Sequence, residues 1–149
     1  MKIYHYEIVL QEVPGEISLA FAVKGCQNKC KQCSYESLSS SHDLTISLYI
    51  NLLNRYKNMI TCVLFLGGDW NTELETYLKL AKANKVKTCL YTGLDSIPEN
   101  IKQNLDYLKV GKYIPELGGL QSEKTNQKFI HIPTGRDDTY KFKRIGVIQ

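Results

Sequence analysis

From Ile17 the chain reads ISLAFAVKG, with large apolar Ile17, Leu19, Phe21 and Val23 alternating with small Ser18, Ala20 and Ala22. A period of two with no charged position before Lys24 is the pattern of a buried strand, and it stops at Gly25. A helical pattern follows over Ile46, Tyr49, Ile50, Leu53 and Tyr56, and then TCVLFLGGD at 61–69 reads as a strand apolar on both faces. Such strands belong to a parallel sheet covered by helices. The alternation repeats downstream. Thr72 with Glu75 predicts a capping box opening a helix with Leu74, Tyr77, Leu78 and Ala81 on one side, and VKTCLYTG at 86–93 predicts the next strand. Ser96, Pro98 and Glu99 start a short helix that leads to DYLKVG at 106–111. After Gly111 the chain turns to a Gly-rich polar loop, ELGGLQSEKTNQ at 116–127, and to two strand-like pieces, Phe129 to Ile132 and Thr139 to Phe142. Strand and helix in alternation predict an α/β fold with parallel strands, and no linker-like stretch divides residues 1–149 into more than one domain.

Composition narrows the class without changing the fold. With 43% hydrophobic and 23% charged residues over 149 positions, the chain reads as a soluble globular domain. No apolar run reaches the roughly 20 residues that cross a bilayer, and MKIYHYEIVLQEVPGE lacks the apolar region of a signal peptide, so the expectation is a cytoplasmic protein with no membrane partner. The net charge of +4 comes from lysines spread along the whole length with no aromatic-interleaved basic stripe, which argues against a nucleic-acid partner.

Chemistry enters with GCQNKCKQCSYE at 25–36, which gathers Cys26, Cys30 and Cys33, three of the five cysteines. In a reducing compartment clustered cysteines are metal ligands or redox groups more often than disulfides. The i, i+4, i+7 spacing is also one face of a helix, but the intervening Gln27, Asn28, Lys29, Lys31 and Gln32 do not suit a buried stripe. A structural zinc site would require a fourth ligand from His5, His42, His131, Cys62 or Cys89, each isolated in sequence. The third reading is an iron–sulfur cubane with one iron left open by the missing fourth thiolate. A second feature is Gly67, Gly68 and Asp69, directly after an apolar strand, where glycine lets backbone approach a ligand closely; a tight strand-to-helix turn would look the same.

The C-x3-C-x2-C spacing of Cys26, Cys30 and Cys33, in the loop after the first strand of the α/β region, resembles the signature of the radical S-adenosylmethionine superfamily. The strand end Tyr91, Thr92 and Gly93, the stretch DYLKVGKY at 106–113 and the loop ELGGLQSEKTNQ are similar to the activating proteins of anaerobic ribonucleoside-triphosphate reductase. The resemblance runs as far as Gln127 and implies a partial, open βα barrel. It implies a 4Fe-4S cluster on Cys26, Cys30 and Cys33 as metal ligands and catalytic residues. S-adenosyl-L-methionine would be bound with the help of Gly67, Gly68, Asp69, Tyr91 and Thr92, the GGD motif holding the amino group of its methionine moiety. The implied activity is reductive cleavage of S-adenosylmethionine and transfer of the radical to a glycine. The implied partners are the large subunit of the reductase and an electron donor such as reduced flavodoxin. Other small enzymes of the superfamily share the cysteines and the GGD, and a non-catalytic zinc or iron–sulfur module is the alternative from another class. Gln32 stands where an aromatic is usual before the third cysteine and Trp70 where proline is common, while Asn126 and Gln127 have no role legible in the sequence. A closed eightfold barrel takes about 250 residues, so a sheet of this length stays open and would present the cofactor edge to something bulky.

Overall fold

Strand β1 (Lys2–Leu10) turns back through Val13–Glu16 into β2 (Ile17–Val23), pairing antiparallel with Tyr6 opposite Phe21. The turn is closed by Glu16 N–H donating to the Val13 carbonyl at 3.0 Å, with Pro14 supplying a fixed φ and Gly15 a φ of +83°. This is a computed structural model, and it describes residues 1–25 and 41–142. Within them the chain continues through β3 (His42–Asp43), α1 (Ile46–Tyr56), β4 (Cys62–Leu66), α2 (Leu74–Ala83), β5 (Lys87–Tyr91), α3 (Glu99–Lys102), β6 (Tyr107–Val110), β7 (Lys128–His131) and β8 (Arg136–Asp137).

Among the described residues the strands form one mixed sheet in the order β3-β1-β2-β4-β5-β6-β7-β8, making the protein a single small α/β domain. The centre, β2-β4-β5-β6, is parallel, and both flanks are antiparallel. The expectation of parallel strands therefore holds for the four central ones alone. The short turn at Val13–Glu16 returns β2 antiparallel to β1 and the long loop after Gly111 returns β7 antiparallel to β6, whereas the crossovers between the parallel strands carry α1, α2 and α3.

One face of the sheet carries Leu19, Phe21, Val63, Phe65 and Leu90, buried under Tyr49, Leu52 and Leu53 of α1 and Tyr77, Leu78 and Ala81 of α2. Phe21 and Phe65 stack at 5.5 Å, and Tyr49 meets Tyr77 edge-on at 4.8 Å. Each such side chain contributes about 1.5–3 kcal/mol by leaving water. The buried tyrosines are satisfied: Tyr49 donates to the Tyr77 carbonyl at 2.8 Å and Tyr77 to the Leu44 carbonyl. The opposite face, with Ala20, Cys62, Leu64, Cys89, Tyr107 and Phe129, is covered by Val13, Leu120 and Phe142. Helices lie on one side and loops on the other.

Two local expectations are corrected. No capping box forms at Thr72 and Glu75: α2 starts later, with Glu73 at the N-cap and no side-chain cap. The chain leaves β4 through a turn in which Asn71 N–H donates to the Gly68 carbonyl, Thr72 lies inside a second turn closed by Leu74 N–H on the Asn71 carbonyl at 3.2 Å, and it is Asn71 Oδ1 that accepts the Glu73 N–H at 2.8 Å. Glu75 instead accepts from Lys79 Nζ at 2.8 Å and Asn100 Nδ2 at 2.7 Å. The strand expected over Thr139 to Phe142 is also absent: β8 is Arg136–Asp137, and 140–142 begin a helical turn. Asp138, fully buried, accepts from Arg136 at 2.6 and 3.1 Å and its N–H still donates to the Phe129 carbonyl, but the Phe129 N–H turns to Thr139 Oγ1 at 2.9 Å, a side chain where a ladder would use backbone. By contrast, α1 opens as its sequence allows, with Thr45 Oγ1 accepting the Leu48 N–H at 3.1 Å.

Candidate functional site

Because β2, β4, β5 and β6 run in parallel, their carboxyl ends lie side by side, and each is followed at once by a loop. In open α/β sheets that edge is where ligands bind. It gathers Gly25 after β2, Gly67 to Trp70 after β4, Tyr91 to Leu94 after β5 and Gly111 after β6. Cys26, Cys30 and Cys33 follow Gly25 directly and lie outside the described residues.

The turn after β4 needs both glycines. Gly67 has a φ of +84° and Gly68 of +106°, a region that side-chain-bearing residues rarely adopt. Space is also short. A Cβ on Gly67 would stand 2.9 Å from Trp70 Cη2, and one on Gly68 would stand 3.2 Å from Val23 Cγ2. The same indole reaches Gly25, whose Cβ would lie 3.4 Å from Trp70 Nε1. Trp70, standing where proline is common in the resembled family, thus packs against both the GGD turn and the residue preceding Cys26. Gly67 N–H donates to the Tyr91 carbonyl at 2.9 Å, tying the turn to β5.

Asp69 is half-buried, and its Oδ1 accepts the Thr92 hydroxyl at 2.9 Å. Thr92 is buried and has little left to offer a ligand, since its oxygen also accepts the Leu94 N–H at 3.1 Å. Tyr91 is committed elsewhere as well: its hydroxyl donates to the Glu12 carbonyl, its ring meets Phe129 edge-on, and Lys109 Nζ sits 5.5 Å from its centroid. Of the five residues expected at a cofactor, Gly67, Gly68 and Asp69 form the turn after β4, Thr92 bonds Asp69 from the end of β5, and Tyr91 packs on the loop-covered face.

Asn126 and Gln127, mute in the sequence, have a position here. Asn126 Nδ2 donates to the Lys112 carbonyl and Gln127 Nε2 to the Gly111 carbonyl, each at 3.1 Å. The loop thereby returns to the end of β6. Gly111, with a φ of +103°, is the signal that betrays the contact: a Cβ there would meet Gln127 Cα at 3.1 Å and the Asn126 carbonyl at 3.2 Å.

The donors available for a metal divide cleanly. Cys62 and Cys89 are free, fully buried thiols on β4 and β5, and burial pushes both thiols well above their ordinary range, which leaves them protonated and poor ligands. His5, His42 and His131 stand on β1, β3 and β7. Among the described residues no three His, Cys, Asp or Glu side chains converge on one point. The two buried thiols therefore serve packing. At the other end of the strands, Glu16 accepts from Tyr107 Oη at 2.6 Å and Lys87 Nζ at 3.1 Å. Burial alone would raise that carboxyl, but the bonds from Tyr107, Thr61 and Lys87 outweigh it and hold it below its ordinary value. That network closes the amino ends of the strands, away from the loops of the candidate site.

No helix among the described residues is long and apolar enough to cross a membrane. Compared with known proteins, the chain finds no matching family model, no matching curated protein and no matching solved structure.

Proposed function

We propose that the protein is a radical S-adenosylmethionine activase that generates a glycyl radical on the large subunit of anaerobic ribonucleoside-triphosphate reductase. The observation that carries this reading is the placement of Trp70, whose ring lies against both Gly25 and Gly67. The residue immediately before Cys26 and the GGD turn are therefore neighbours on one sheet edge, as a shared site requires. In this reading β2, β4, β5 and β6 are the parallel part of a partial, open βα barrel. The thiolates of Cys26, Cys30 and Cys33 would hold a 4Fe-4S cluster. The cluster and S-adenosylmethionine, when bound, supply the one-electron reduction and the hydrogen-atom abstraction that leave the glycyl radical.

The chain's own residues do the binding and orienting. Asp69, an acceptor fixed by Thr92, takes N–H donors of the methionine amino group, and the backbone at Gly67 and Gly68 lets the cofactor come close. Among the described residues the sheet order runs from β3 to β8 without closing on itself, and a glycine-bearing segment of a large protein would complete the site at the loop edge. An electron donor such as reduced flavodoxin is the expected reductant, and a cytoplasmic location follows from that chemistry.

The test is anaerobic purification followed by metal analysis and electron paramagnetic resonance. About four irons per chain are expected, and with reductant, S-adenosylmethionine and the large subunit a glycine-centred signal should appear on the partner and vanish when its target glycine becomes alanine. Zinc near one per chain with no iron would overturn the proposal in favour of a structural module. Cofactor cleavage with no radical on a partner that does bind would move the target to another glycyl-radical enzyme or a small molecule.

A further inference from the structure

Four hydrogen bonds run end to end across three strand ends. Gln127 Nε2 donates to the Gly111 carbonyl at 3.1 Å, and Gly111 N–H donates to the Leu94 carbonyl at 2.8 Å. Leu94 N–H then donates to Thr92 Oγ1 at 3.1 Å, and the Thr92 hydroxyl donates to Asp69 Oδ1 at 2.9 Å. Each group along the line makes the bond that its neighbour's position allows. Because Thr92 Oγ1 is occupied by the Leu94 N–H on one side, its single proton is directed to Asp69 on the other. The anchor is firm at both ends: Gln127 and Thr92 are buried, and Thr92 N–H is held by the Lys109 carbonyl at 2.9 Å. Gly111 permits the close approach, since a Cβ there would meet the backbone of Asn126 and Gln127. Asn126 grips the same loop, but through the Lys112 carbonyl, which is not a link in the line.

We propose that Gln127 is a positioning residue for Asp69, setting the orientation of that carboxylate through Gly111, Leu94 and Thr92. The polar loop at 116–127 thereby acts on the edge where the cofactor is proposed to bind, although two strands, β5 and β6, stand between the one that Gln127 opens and the one that Asp69 follows. For cofactor affinity the inference rests on the function proposed above, whereas for the geometry of Asp69 it does not.

The experiment reads the two separately. In the protein without cofactor, the side-chain carboxylate carbon resonance of Asp69 and the amide resonance of Leu94 should both move in Gln127→Met and in Thr92→Val. The double variant should move the Asp69 signal no further than Thr92→Val alone, because both substitutions cut one line. Asn126→Ala should leave the Asp69 signal in place. A folded Gln127→Met with an unmoved Asp69 signal, or an Asn126→Ala that moves it as much, would overturn the proposal. Should Gln127→Met not fold, hydrogen exchange in the wild-type chain decides. The amides of Gly111 and Leu94 should open together, and a Leu94 amide exchanging freely while Gly111 stays protected would sink the line. In the iron-loaded protein, Gln127→Met should weaken S-adenosylmethionine binding about fivefold to tenfold with iron content unchanged. A wild-type chain that takes up iron but binds no S-adenosylmethionine overturns the proposed function, not the positioning of Asp69.

Discussion

The Thr92 hydroxyl donates to Asp69 across the gap between the ends of β5 and β4, 2.9 Å from oxygen to oxygen, while accepting the Leu94 N–H. Thr92 is only 2% exposed, so its hydroxyl depends on these two protein partners, whereas the half-buried Asp69 also meets solvent. Thr92→Val keeps the shape and removes both, leaving the Leu94 N–H without its acceptor. We expect a loss of about 1–3 kcal/mol in urea unfolding. Thr92→Ser, which retains the hydroxyl, should lie near wild type. Equal midpoints for the valine and wild-type chains would mean that the pair contributes nothing to the edge.

At the opposite end of the strands, Glu16 gives the fold a dependence on acid. Its folded pKa is lowered from the ordinary 4.5, so its stabilisation is fully present above that value and disappears as pH falls through the lower folded one. Tyr107 Oη, at 2.6 Å, is a partner that can be removed without touching charge. Tyr107→Phe should therefore lower stability at pH 7 by about 1–3 kcal/mol and flatten the acid limb below pH 4.5. Urea titrations at neutral and acid pH would check it, and an unchanged acid limb in the variant would place the stabilisation elsewhere.

What the sequence disclosed depends on how each residue is used. β2, β4 and β5 are apolar on both faces because both faces are covered, and the pattern of ISLAFAV and CVLFL states that directly. β1 carried no such statement: it is flanked only by β2 and the two-residue β3, and beyond the buried Ile3 its residues are half-buried or exposed in pairs with no clean face. Thr139 to Phe142 read as a strand because a buried Phe142 fits a strand as well as a helical turn, and the pairing gives way to a bond from the Phe129 N–H to the Thr139 side chain, a contact that periodicity does not encode. In the site, the GGD turn was legible from glycine chemistry. The roles of Trp70, Asn126 and Gln127 were not, since each acts on a strand end remote from it in sequence or on backbone that has no signature of its own.

The division of the cysteines gives a direct chemical check. Cys62 and Cys89 are buried and their thiols are shifted upward by desolvation, so a thiolate-specific reagent at pH 8 should leave both unmodified in the native chain and label them on unfolding. Cys62→Ala and Cys89→Ala should each cost about 1–2 kcal/mol through a small cavity and leave iron content intact. Replacing Cys26, Cys30 or Cys33 by alanine should abolish cofactor cleavage. Loss of iron from a folded Cys62→Ala or Cys89→Ala would defeat the three-thiolate assignment.

Gly68 tests whether the turn after β4 serves a ligand or the fold. On the sequence alone, Gly68→Val should weaken S-adenosylmethionine binding while sparing iron, because a branched side chain would block the approach. The structure adds a second obstacle, since a Cβ at this φ of +106° points toward Val23 and would stand 3.2 Å from its Cγ2. Even Gly68→Ala should therefore cost about 1–3 kcal/mol from backbone strain alone. The two obstacles separate in a double variant. Val23→Ala removes the atoms that the new Cβ would meet, so the pair Gly68→Ala with Val23→Ala should lose less stability than the sum of the single losses. The strain remains, and with it the displaced turn, so cofactor affinity should stay low in the double variant while iron content matches wild type. If affinity instead recovered along with packing, Gly68 would act through Val23 and the turn would hold no cofactor of its own.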